Sequence, residues 1–337
     1  MKYVFGPVAS RRLGLSLGID PIPRKLCTMD CIYCEVGPTD KLAFRRRDYV
    51  PVADILAEVR AVLGQLGALR VPEQSGRSVE FTPLQYVTFS GSGEPTLHSR
   101  LGEMIRAVKS MTAVPVAVLT NGTLLFMEEV RRDLLEADVV LPSLDAATQE
   151  VFERVDRPHP RLRIDRVIEG LRSFRREYWG QLWIEVLLVD GVNDGDEEVS
   201  RIKAALDSIA PDRVQLNTVV RPPSDSSARP VTREKMEAIR AILGDRTEIV
   251  ASFRAGAKSR EVDGLKDVIR AVVARRPMTI VDMVESLGCD VAEIEKEIGD
   301  LQRRGDLVCR KQGNEVFYQA RQGDRTGDPD AERSQLR

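Results

Sequence analysis

Residues 85–119 read QYVTFSGSGEPTLHSRLGEMIRAVKSMTAVPVAVL. The stretch begins with a β-rich run at 85–89, passes through a glycine-containing turn and has the apolar spacing of an amphipathic helix at 101–111. It ends with a second β-rich run at 116–119. Strand, helix and strand in this order predict a βαβ unit, in which the two strands lie parallel in one sheet.

The same alternation continues on both sides of this unit. Further strands are predicted at 15–19, 138–141, 182–188, 213–216 and 248–251, and further helices at 126–137, 164–177, 197–209 and 232–243. Asp165 and Thr232 are expected to cap two of these helices. Six or seven such units predict an α/β fold, a partial (β/α)6-type TIM-like barrel, with an open doubly wound sheet as the alternative. Both folds place the ligand site at the carboxyl ends of the strands.

The pattern changes near residue 258. Three short helical patterns and two strand patterns around the turn signal Gly313-Asn314 follow, at 268–273, 280–287, 291–301, 307–309 and 316–318. They predict a small C-terminal winged helix-turn-helix domain at 259–320, after a barrel domain at 1–258. Residues 321–337 carry few apolar side chains and are predicted to form a disordered tail.

The composition is that of a folded protein, with 42% hydrophobic and 30% charged residues. The 50 Lys and Arg residues nearly balance the 52 Asp and Glu residues, which argues against a polycation that coats nucleic acid. No apolar run approaches the ~18 residues of a membrane span, and the N-terminal residues lack the apolar centre of a signal peptide. We therefore expect a cytoplasmic protein without a membrane partner.

Three of the five cysteines form the sequence Cys27-Thr-Met-Asp-Cys31-Ile-Tyr-Cys34. Thiolates select soft metal centres, which are iron–sulfur clusters, zinc or Cu(I). On a 4Fe–4S cluster, three cysteines leave one iron free to bind a small molecule. A structural zinc ion needs a fourth ligand, and the candidates are all distant in sequence: His98, His159, Cys289 and Cys309. The spacing favours the cluster, with zinc and unliganded thiols as alternatives.

The CxxxCxxC triplet, with Tyr33 before its third cysteine, resembles the signature of the radical SAM superfamily. Three later motifs resemble further elements of that family, its GGEP loop, TNG turn and SLD element: Ser90-Gly91-Ser92-Gly93-Glu94-Pro95, Thr120-Asn121-Gly122 and Ser143-Leu144-Asp145. The resemblance covers residues 10–225 and strengthens the interpretation of the cysteines as cluster ligands.

The resemblance implies two cofactors, a 4Fe–4S cluster on Cys27, Cys31 and Cys34 and S-adenosylmethionine (SAM). The amino and carboxylate groups of SAM would chelate the open iron. An electron from the cluster would then cleave the sulfonium, giving a 5′-deoxyadenosyl radical that abstracts hydrogen from a substrate. An electron donor such as flavodoxin or ferredoxin is implied as a partner.

The expected SAM-binding residues lie at or just after strand ends. Gly91 and Gly93 would let the backbone approach the ligand, although GSGEP could also be a plain strand-to-helix turn. The other candidates are polar side chains: Glu94, Thr120, Asn121, Ser143, Asp145 and Asn217. Ser143 and Asp145 offer a hydroxyl and a carboxylate for the methionine carboxylate or the ribose.

Three further positions have open alternatives. Asn217 and Arg221 share a strand parity, so they are candidates for adenine or substrate contact, against a structural role. Glu185 is the one acid in an apolar strand and either faces the barrel or is exposed. Other arginines, including Arg11, Arg12 and those between 154 and 176, are interpreted mostly as solvated surface charges, a few of which could line the path of an anionic substrate.

The N-terminal run 5–18, FGPVASRRLGLSLG, is similar to a branch of the family grouped with the wyosine-base tRNA synthases. Archaeal-type members carry a second cysteine set before the radical SAM motif, whereas no cysteine precedes Cys27 here. Cys289 and Cys309 are too few for an auxiliary cluster. The reaction therefore stays open within the oxidoreductase or transferase classes, with RNA, a nucleoside or a protein as the candidate substrate.

The charge of the C-terminal segment bears on its role. Residues 259–320 carry ten basic side chains against twelve acidic ones, which is a poor surface for a phosphate backbone. Sequence-specific DNA binding is therefore not expected, and contact with a substrate or partner is favoured. The alternative function is an iron–sulfur redox-sensing regulator with a winged helix. Such a sensor needs the cysteines but not the SAM motifs, whose presence favours the enzyme.

Overall fold

The computed structural model describes residues 2–10, 12–69, 84–250, 265–274, 277–287, 289, 291–312 and 315–321. Its strands are β1 (Val4–Ser10), β2 (Gly14–Ile19), β3 (Leu26–Cys27), β4 (Lys41–Leu42), β5 (Tyr86–Phe89), β6 (Val116–Thr120), β7 (Val139–Pro142), β8 (Gln181–Leu188), β9 (Arg213–Thr218), β10 (Thr247–Ile249), β11 (Leu307–Gln312) and β12 (Glu315–Ala320). Its helices are α1 (Val52–Gln65), α2 (Leu101–Met111), α3 (Glu128–Leu134), α4 (Gln149–Val155), α5 (Ile164–Glu177), α6 (Asp196–Ile209), α7 (Arg233–Leu243), α8 (Leu265–Val273), α9 (Ile280–Leu287) and α10 (Val291–Arg303), with a 3-10 turn at Pro95–Leu97.

The described residues form one eight-stranded sheet in the order β1-β2-β5-β6-β7-β8-β9-β10. β1 is antiparallel to β2, and every other neighbouring pair is parallel. The strand order from β2 onward follows the sequence without the reversal that a doubly wound sheet requires, which excludes that alternative. β1 and β10 are the two edges, so the sheet is open, as in a partial TIM-like barrel.

The βαβ prediction for residues 85–119 is confirmed, because β5 and β6 are parallel neighbours joined through α2. The predicted cap at Thr232 is also confirmed, since its Oγ1 accepts the Lys235 N–H (3.3 Å). The predicted cap at Asp165 is wrong. α5 begins before it, and the Gln149 side chain accepts the Ile164 N–H instead (3.0 Å).

Five elements have no counterpart among the predicted ones: β1, the two-residue strands β3 and β4, α1 and α4. β1 was not predicted because it contains Gly6 and Pro7, residues that normally interrupt a strand. It forms the edge of the sheet, where such residues are tolerated. The register of β1 against β2 shifts between Phe5 and Val8, around these two residues.

The two faces of the sheet have different packing partners. Along β6, Val116 and Val118 belong to the main core that the helices cover. Ala117 lies on the opposite face, in a smaller apolar cluster with Leu13 and Trp183. This alternation is that of a strand with helices outside and a packed barrel interior. Among the helices that the structure describes, none has the length and apolar character that crossing a bilayer requires.

The C-terminal elements, α8 to α10 and the antiparallel pair β11–β12, share one buried apolar cluster. Phe5 and Val8 of β1 are part of that cluster, so this C-terminal unit packs directly on the edge of the sheet. The winged-helix interpretation of the unit stays a prediction. The proposed boundary at 258 lies outside the described residues, and so does the proposed tail except for Arg321.

We predict that Phe5→Ala destabilises the protein strongly. The ring is buried between the C-terminal unit and Gly18 of β2, where a Cβ atom would lie 2.1 Å from the Phe5 ring. Loss of a buried phenylalanine costs about 3–5 kcal/mol, and Phe5→Leu should cost less than half of that. Urea unfolding followed by circular dichroism measures both. Equal stability of Phe5→Ala and the parent would show that the unit does not depend on β1.

Candidate functional site

The three cysteines of the loop after β3 face one cavity. Cys27 ends β3, and the loop then turns, since the Cys34 N–H donates to the Cys31 carbonyl (3.1 Å). All three side chains are partly buried and line a cavity of about 300 Å³, at the lower end of the ~300–1,000 Å³ range of small-molecule sites. The structure thus brings the three predicted metal ligands together.

Backbone hydrogen bonds from distant segments hold this loop. The Ala43 N–H donates to the Cys27 carbonyl (2.8 Å), and the His159 N–H donates to the Thr28 carbonyl (2.8 Å). Ala43 directly follows β4, and His159 follows α4. The position of the cysteines is therefore set by tertiary contacts as well as by the loop sequence.

Two of the sulfur atoms have nitrogen donors beside them. Lys25 Nζ lies 3.3 Å from Cys34 Sγ, and Asn121 Nδ2 lies 3.6 Å from Cys27 Sγ. Burial raises the pKa of the Cys27 thiol to about 12, and a bound metal centre would favour the thiolate there. Three sulfur ligands with hydrogen-bond donors fit an iron–sulfur cluster, whose potential such donors tune.

The two glycines of the loop after β5 are required by packing against the protein. A Cβ atom at Gly91, whose φ is +149°, would lie 2.2 Å from Asp20 Oδ1. A Cβ atom at Gly93 would lie 2.2 Å from the Leu26 carbonyl oxygen, one residue before Cys27. Both glycines also line the cavity. Their role in binding SAM stays a prediction, and close approach to the cysteine loop is a sufficient reason for glycine.

Glu94 is buried, and its carboxylate accepts several hydrogen bonds from the protein. Oε1 accepts from the Thr96 N–H (2.9 Å), the Thr96 hydroxyl and the Thr120 hydroxyl (2.6 Å). Oε2 accepts from the Asn121 N–H (2.8 Å). The Glu94 N–H in turn donates to the Leu26 carbonyl (3.1 Å). Burial raises the pKa of this carboxyl, an effect that the hydrogen bonds oppose. Glu94 thus joins three segments around the cavity.

Asn121 and Ser143 also line the cavity. Asn121 Nδ2 donates to the Thr28 hydroxyl (2.6 Å), which ties the end of β6 to the cysteine loop. The Ser143 hydroxyl differs, because no hydrogen bond to it is formed within the part of the chain that the structure describes. Ser143 therefore offers a hydroxyl that a bound ligand can use.

Asp145 does not line this cavity. Its buried carboxylate accepts from the Tyr33 hydroxyl and from the Leu187 N–H (2.7 Å). Burial, together with the nearby Asp156 carboxylate, raises the pKa of Asp145 well above its ordinary range. Asp145 therefore connects the cysteine loop to β8, and a direct contact with SAM stays a prediction.

Asn217 also lies away from the cavity lining and donates through Nδ2 to Glu185 Oε1 (2.9 Å). Glu185 faces the barrel interior, which is the first of the two orientations that the sequence left open. Arg12 Nε donates to the same oxygen (2.6 Å) and lines the cavity. Arg12 is thus a half-buried cavity residue and belongs to the few arginines expected to line a substrate path, not to the solvated majority. Its spacing in the run 5–18 gave no signal of this.

Arg221 is buried between the cysteine loop and the C-terminal unit. It forms ion pairs with Glu35, next to Cys34, at 3.2 Å and with Asp282 of α9 at 3.4 Å. It does not line the cavity, so its side chain has a structural role in these contacts.

The candidates for a fourth zinc ligand lie in different places. Both ring nitrogens of His98 are engaged by backbone groups, Cys289 is in the apolar cluster of the C-terminal unit, and Cys309 is exposed on β11. His159 lies beside the cysteine loop. Across the described ranges, no three His, Cys, Asp or Glu side chains are grouped to hold a single ion. Cluster ligands need not converge in this way, since each cysteine binds a different iron.

Comparison with known families agrees with the fold and the cysteine loop. Residues 22–201, more than half of the 337 residues, match the Radical SAM superfamily. The chain belongs to the radical SAM superfamily.

Several curated relatives are similar to most or part of the chain. It is 30% identical over 328 residues to the UPF0026 protein MJ1312 of Methanocaldococcus jannaschii, covering 94% of this chain and 96% of that one. It is 36% identical over 309 residues to a protein named GTPase Obg of Brachyspira hyodysenteriae, covering 91% of this chain but only 43% of that one. It is 28% identical over 200 residues to the dual-specificity RNA methyltransferase RlmN of Nitratidesulfovibrio vulgaris, covering 54% and 50%.

The sheet is also similar to that of a solved structure, a radical SAM methyltransferase from Sphaerobacter thermophilus. The TM-score is 0.51 at 20% identity, and the match covers 69% of this chain and 65% of that one. At this identity the likeness concerns the fold.

We predict that Glu94→Ala lowers stability by about 3 kcal/mol or more, because it leaves buried donors without an acceptor. Glu94→Gln, which keeps one acceptor oxygen, should cost less. Glu103→Ala, which removes an exposed ion pair with Arg100, is the control and should unfold like the parent. Chemical denaturation of the three variants measures the differences. Parental stability of Glu94→Ala would contradict the anchoring role of this carboxylate.

Proposed function

We propose that this protein is a radical SAM enzyme that holds a 4Fe–4S cluster on Cys27, Cys31 and Cys34 and binds SAM in the adjacent cavity. The observation that carries the proposal is that these three thiols and the polar ends of β6 and β7 line the same cavity. When bound, the cluster supplies the electron for reductive cleavage of SAM. Homologues that are enzymes support this assignment.

Different residues around the cavity would have different roles in binding the cluster and SAM. Lys25 and Asn121 would stabilise negative charge on the sulfur atoms, as their nitrogen–sulfur distances allow. The Ser143 hydroxyl would bind a polar group of SAM. Glu94, Thr120 and Asp145 would hold these groups in position. Apolar side chains of the cavity wall would exclude water from the reacting atoms: Phe5, Val8, Leu119, Leu141 and Leu187.

The substrate would be RNA, a nucleoside or a protein, and the reaction an oxidation or a group transfer. The similarity of the N-terminal run to the wyosine-synthase branch and the partial likeness to an RNA methyltransferase favour RNA among these. The C-terminal unit, as a winged helix-turn-helix-like domain, would contact that substrate or a partner in the cytoplasm. The redox-sensing regulator has no such support, since none of the relatives named above is described as a regulator.

We predict that Cys31→Ala abolishes cluster binding, because two cysteines cannot hold the cluster against dissociation. After anaerobic reconstitution, the parent should contain about four iron atoms per chain and form 5′-deoxyadenosine from SAM with dithionite. The Cys289→Ala/Cys309→Ala double variant is the matched control and should retain both properties. One equivalent of zinc and no iron in anaerobically purified parent would overturn the proposal.

We further predict that Ser143→Ala weakens SAM binding about tenfold, the loss of one hydrogen bond to a charged group. Ser200→Ala, whose hydroxyl bonds the Asp196 carbonyl on α6, is the control. Isothermal titration of reconstituted protein with SAM gives the affinities. An unchanged Kd for Ser143→Ala would place the SAM carboxylate and ribose elsewhere in the cavity.

A further inference from the structure

Two arginines stacked on phenylalanine rings lie beside the cysteine loop. The Arg161 guanidinium is 4.8 Å from the Phe44 ring centroid, and that of Arg166 is 4.3 Å from the Phe126 centroid. The two rings stack with centroids 6.2 Å apart, and the His159 ring lies 5.3 Å from Phe44. We call these five residues the arginine–phenylalanine cluster.

The surface around this cluster is positively charged. Arg161 and Arg166 are exposed, and neither has a carboxylate within ion-pair distance among the residues that the structure describes. Residues 157–166 carry four arginines against one acid, Asp165. Of the four, Arg157 is paired with the Asp225 carboxylate at 2.6 Å. That acid is 4.0 Å from Arg163, a weak and exposed contact. The cluster therefore presents unneutralised guanidinium groups to solvent.

The contacts with the phenylalanine rings orient the two guanidinium groups and cover faces of the rings. A guanidinium over an aromatic ring at an exposed site gains about 0.5–1 kcal/mol, which holds the planar fork in one orientation. Because Phe44 is covered by Arg161, Phe126 and His159, it offers little free face on which a nucleic-acid base could stack. The arrangement favours a partner that presents carboxylates, which bind the guanidinium fork in a bidentate manner.

The cluster is attached to the backbone of the cysteine loop. The His159 N–H donates to the Thr28 carbonyl, and the N–H of Ala43, the residue before Phe44, donates to the Cys27 carbonyl, both at 2.8 Å. A protein bound to this surface would therefore lie against the segment that carries the first cysteine.

We propose that the arginine–phenylalanine cluster is the docking surface for an acidic one-electron carrier protein. The inference rests on the proposed function, in which each reductive cleavage of SAM needs one electron from outside the chain. In the docked complex one electron would leave the carrier, which is oxidised, and would reduce the cluster that Cys27, Cys31 and Cys34 would hold. No covalent bond changes in this step. Opposite charges on the two surfaces raise the association rate and make it salt-dependent.

The test compares the parent with the Arg161→Glu/Arg166→Glu variant, using a reduced flavodoxin as the carrier and dithionite as a small reductant that needs no docking surface. Titration calorimetry of the full chain gives the Kd for flavodoxin, and bleaching of the iron–sulfur absorbance gives the reduction rate. Charge reversal should raise the Kd and slow reduction by flavodoxin at least about tenfold at low salt. Reduction by dithionite and the resulting 5′-deoxyadenosine yield should stay at the parental level.

Two further variants make the comparison specific. Arg201→Glu/Arg240→Glu reverses two exposed charges on α6 and α7 and should keep the parental Kd. Arg161→Lys/Arg166→Lys keeps both charges and should retain most of the affinity.

The inference is overturned if charge reversal leaves the flavodoxin Kd unchanged, or if it weakens binding of single-stranded RNA while flavodoxin still binds and reduces the protein normally. Absence of 5′-deoxyadenosine from the parent with dithionite would refute the proposed function instead. In that case the effect of charge reversal on the flavodoxin Kd would be the only test of the docking surface.

Discussion

The carboxylate of Glu94 is the contact on which the geometry of the cavity depends. It is buried, and it accepts hydrogen bonds from the 3-10 turn after β5 and from the end of β6. Its own N–H is bonded to the residue before Cys27. A buried carboxylate is stable only when such donors surround it, so the turn, the strand end and the cysteine loop must keep their positions together. Asn121, fixed in this way, reaches both Thr28 and the sulfur atom of Cys27.

The geometry of the cavity also depends on β1, which contributes to another part of its wall. Its residues Phe5 and Val8 line the cavity and also belong to the apolar cluster of the C-terminal unit. The buried Arg221 guanidinium adds a second connection through its ion pairs with two half-buried carboxylates, Glu35 in the cysteine loop and Asp282 in α9. A buried guanidinium is costly to leave without a carboxylate partner, so these contacts couple the C-terminal unit to the cysteine loop.

Arginine has three different roles in this chain, and the environment of each side chain determines which. Arg12 is half-buried at the cavity and Arg221 is buried, and carboxylates pair with both. Arg161 and Arg166 lie on aromatic rings at the surface and keep their charge available to a partner. Other arginines, such as Arg201, form exposed pairs along one helix that contribute little to stability. The residue type alone does not distinguish these cases.

Elements and motifs that depend on near neighbours in the chain could be predicted from the amino-acid sequence. Periodicity located β5, α2 and β6, and the spacing of Cys27, Cys31 and Cys34 indicated a metal-binding loop. Family resemblance pointed to Ser143, which lines the cavity, but also to Asp145, which does not, and strand parity pointed to Asn217, which does not line it either.

The directions of the remaining polar side chains depend on tertiary packing. Arg12 and Glu185 are 173 residues apart in sequence, yet they share a hydrogen bond inside the barrel. β1 is recognisable as a strand only through its pairing with β2, and the arginine–phenylalanine cluster combines residues from separate segments of the chain. Local propensity and spacing report interactions over a few residues. The partner of a buried charge or an aromatic ring is set by packing between elements that are distant in sequence, and no local pattern encodes it.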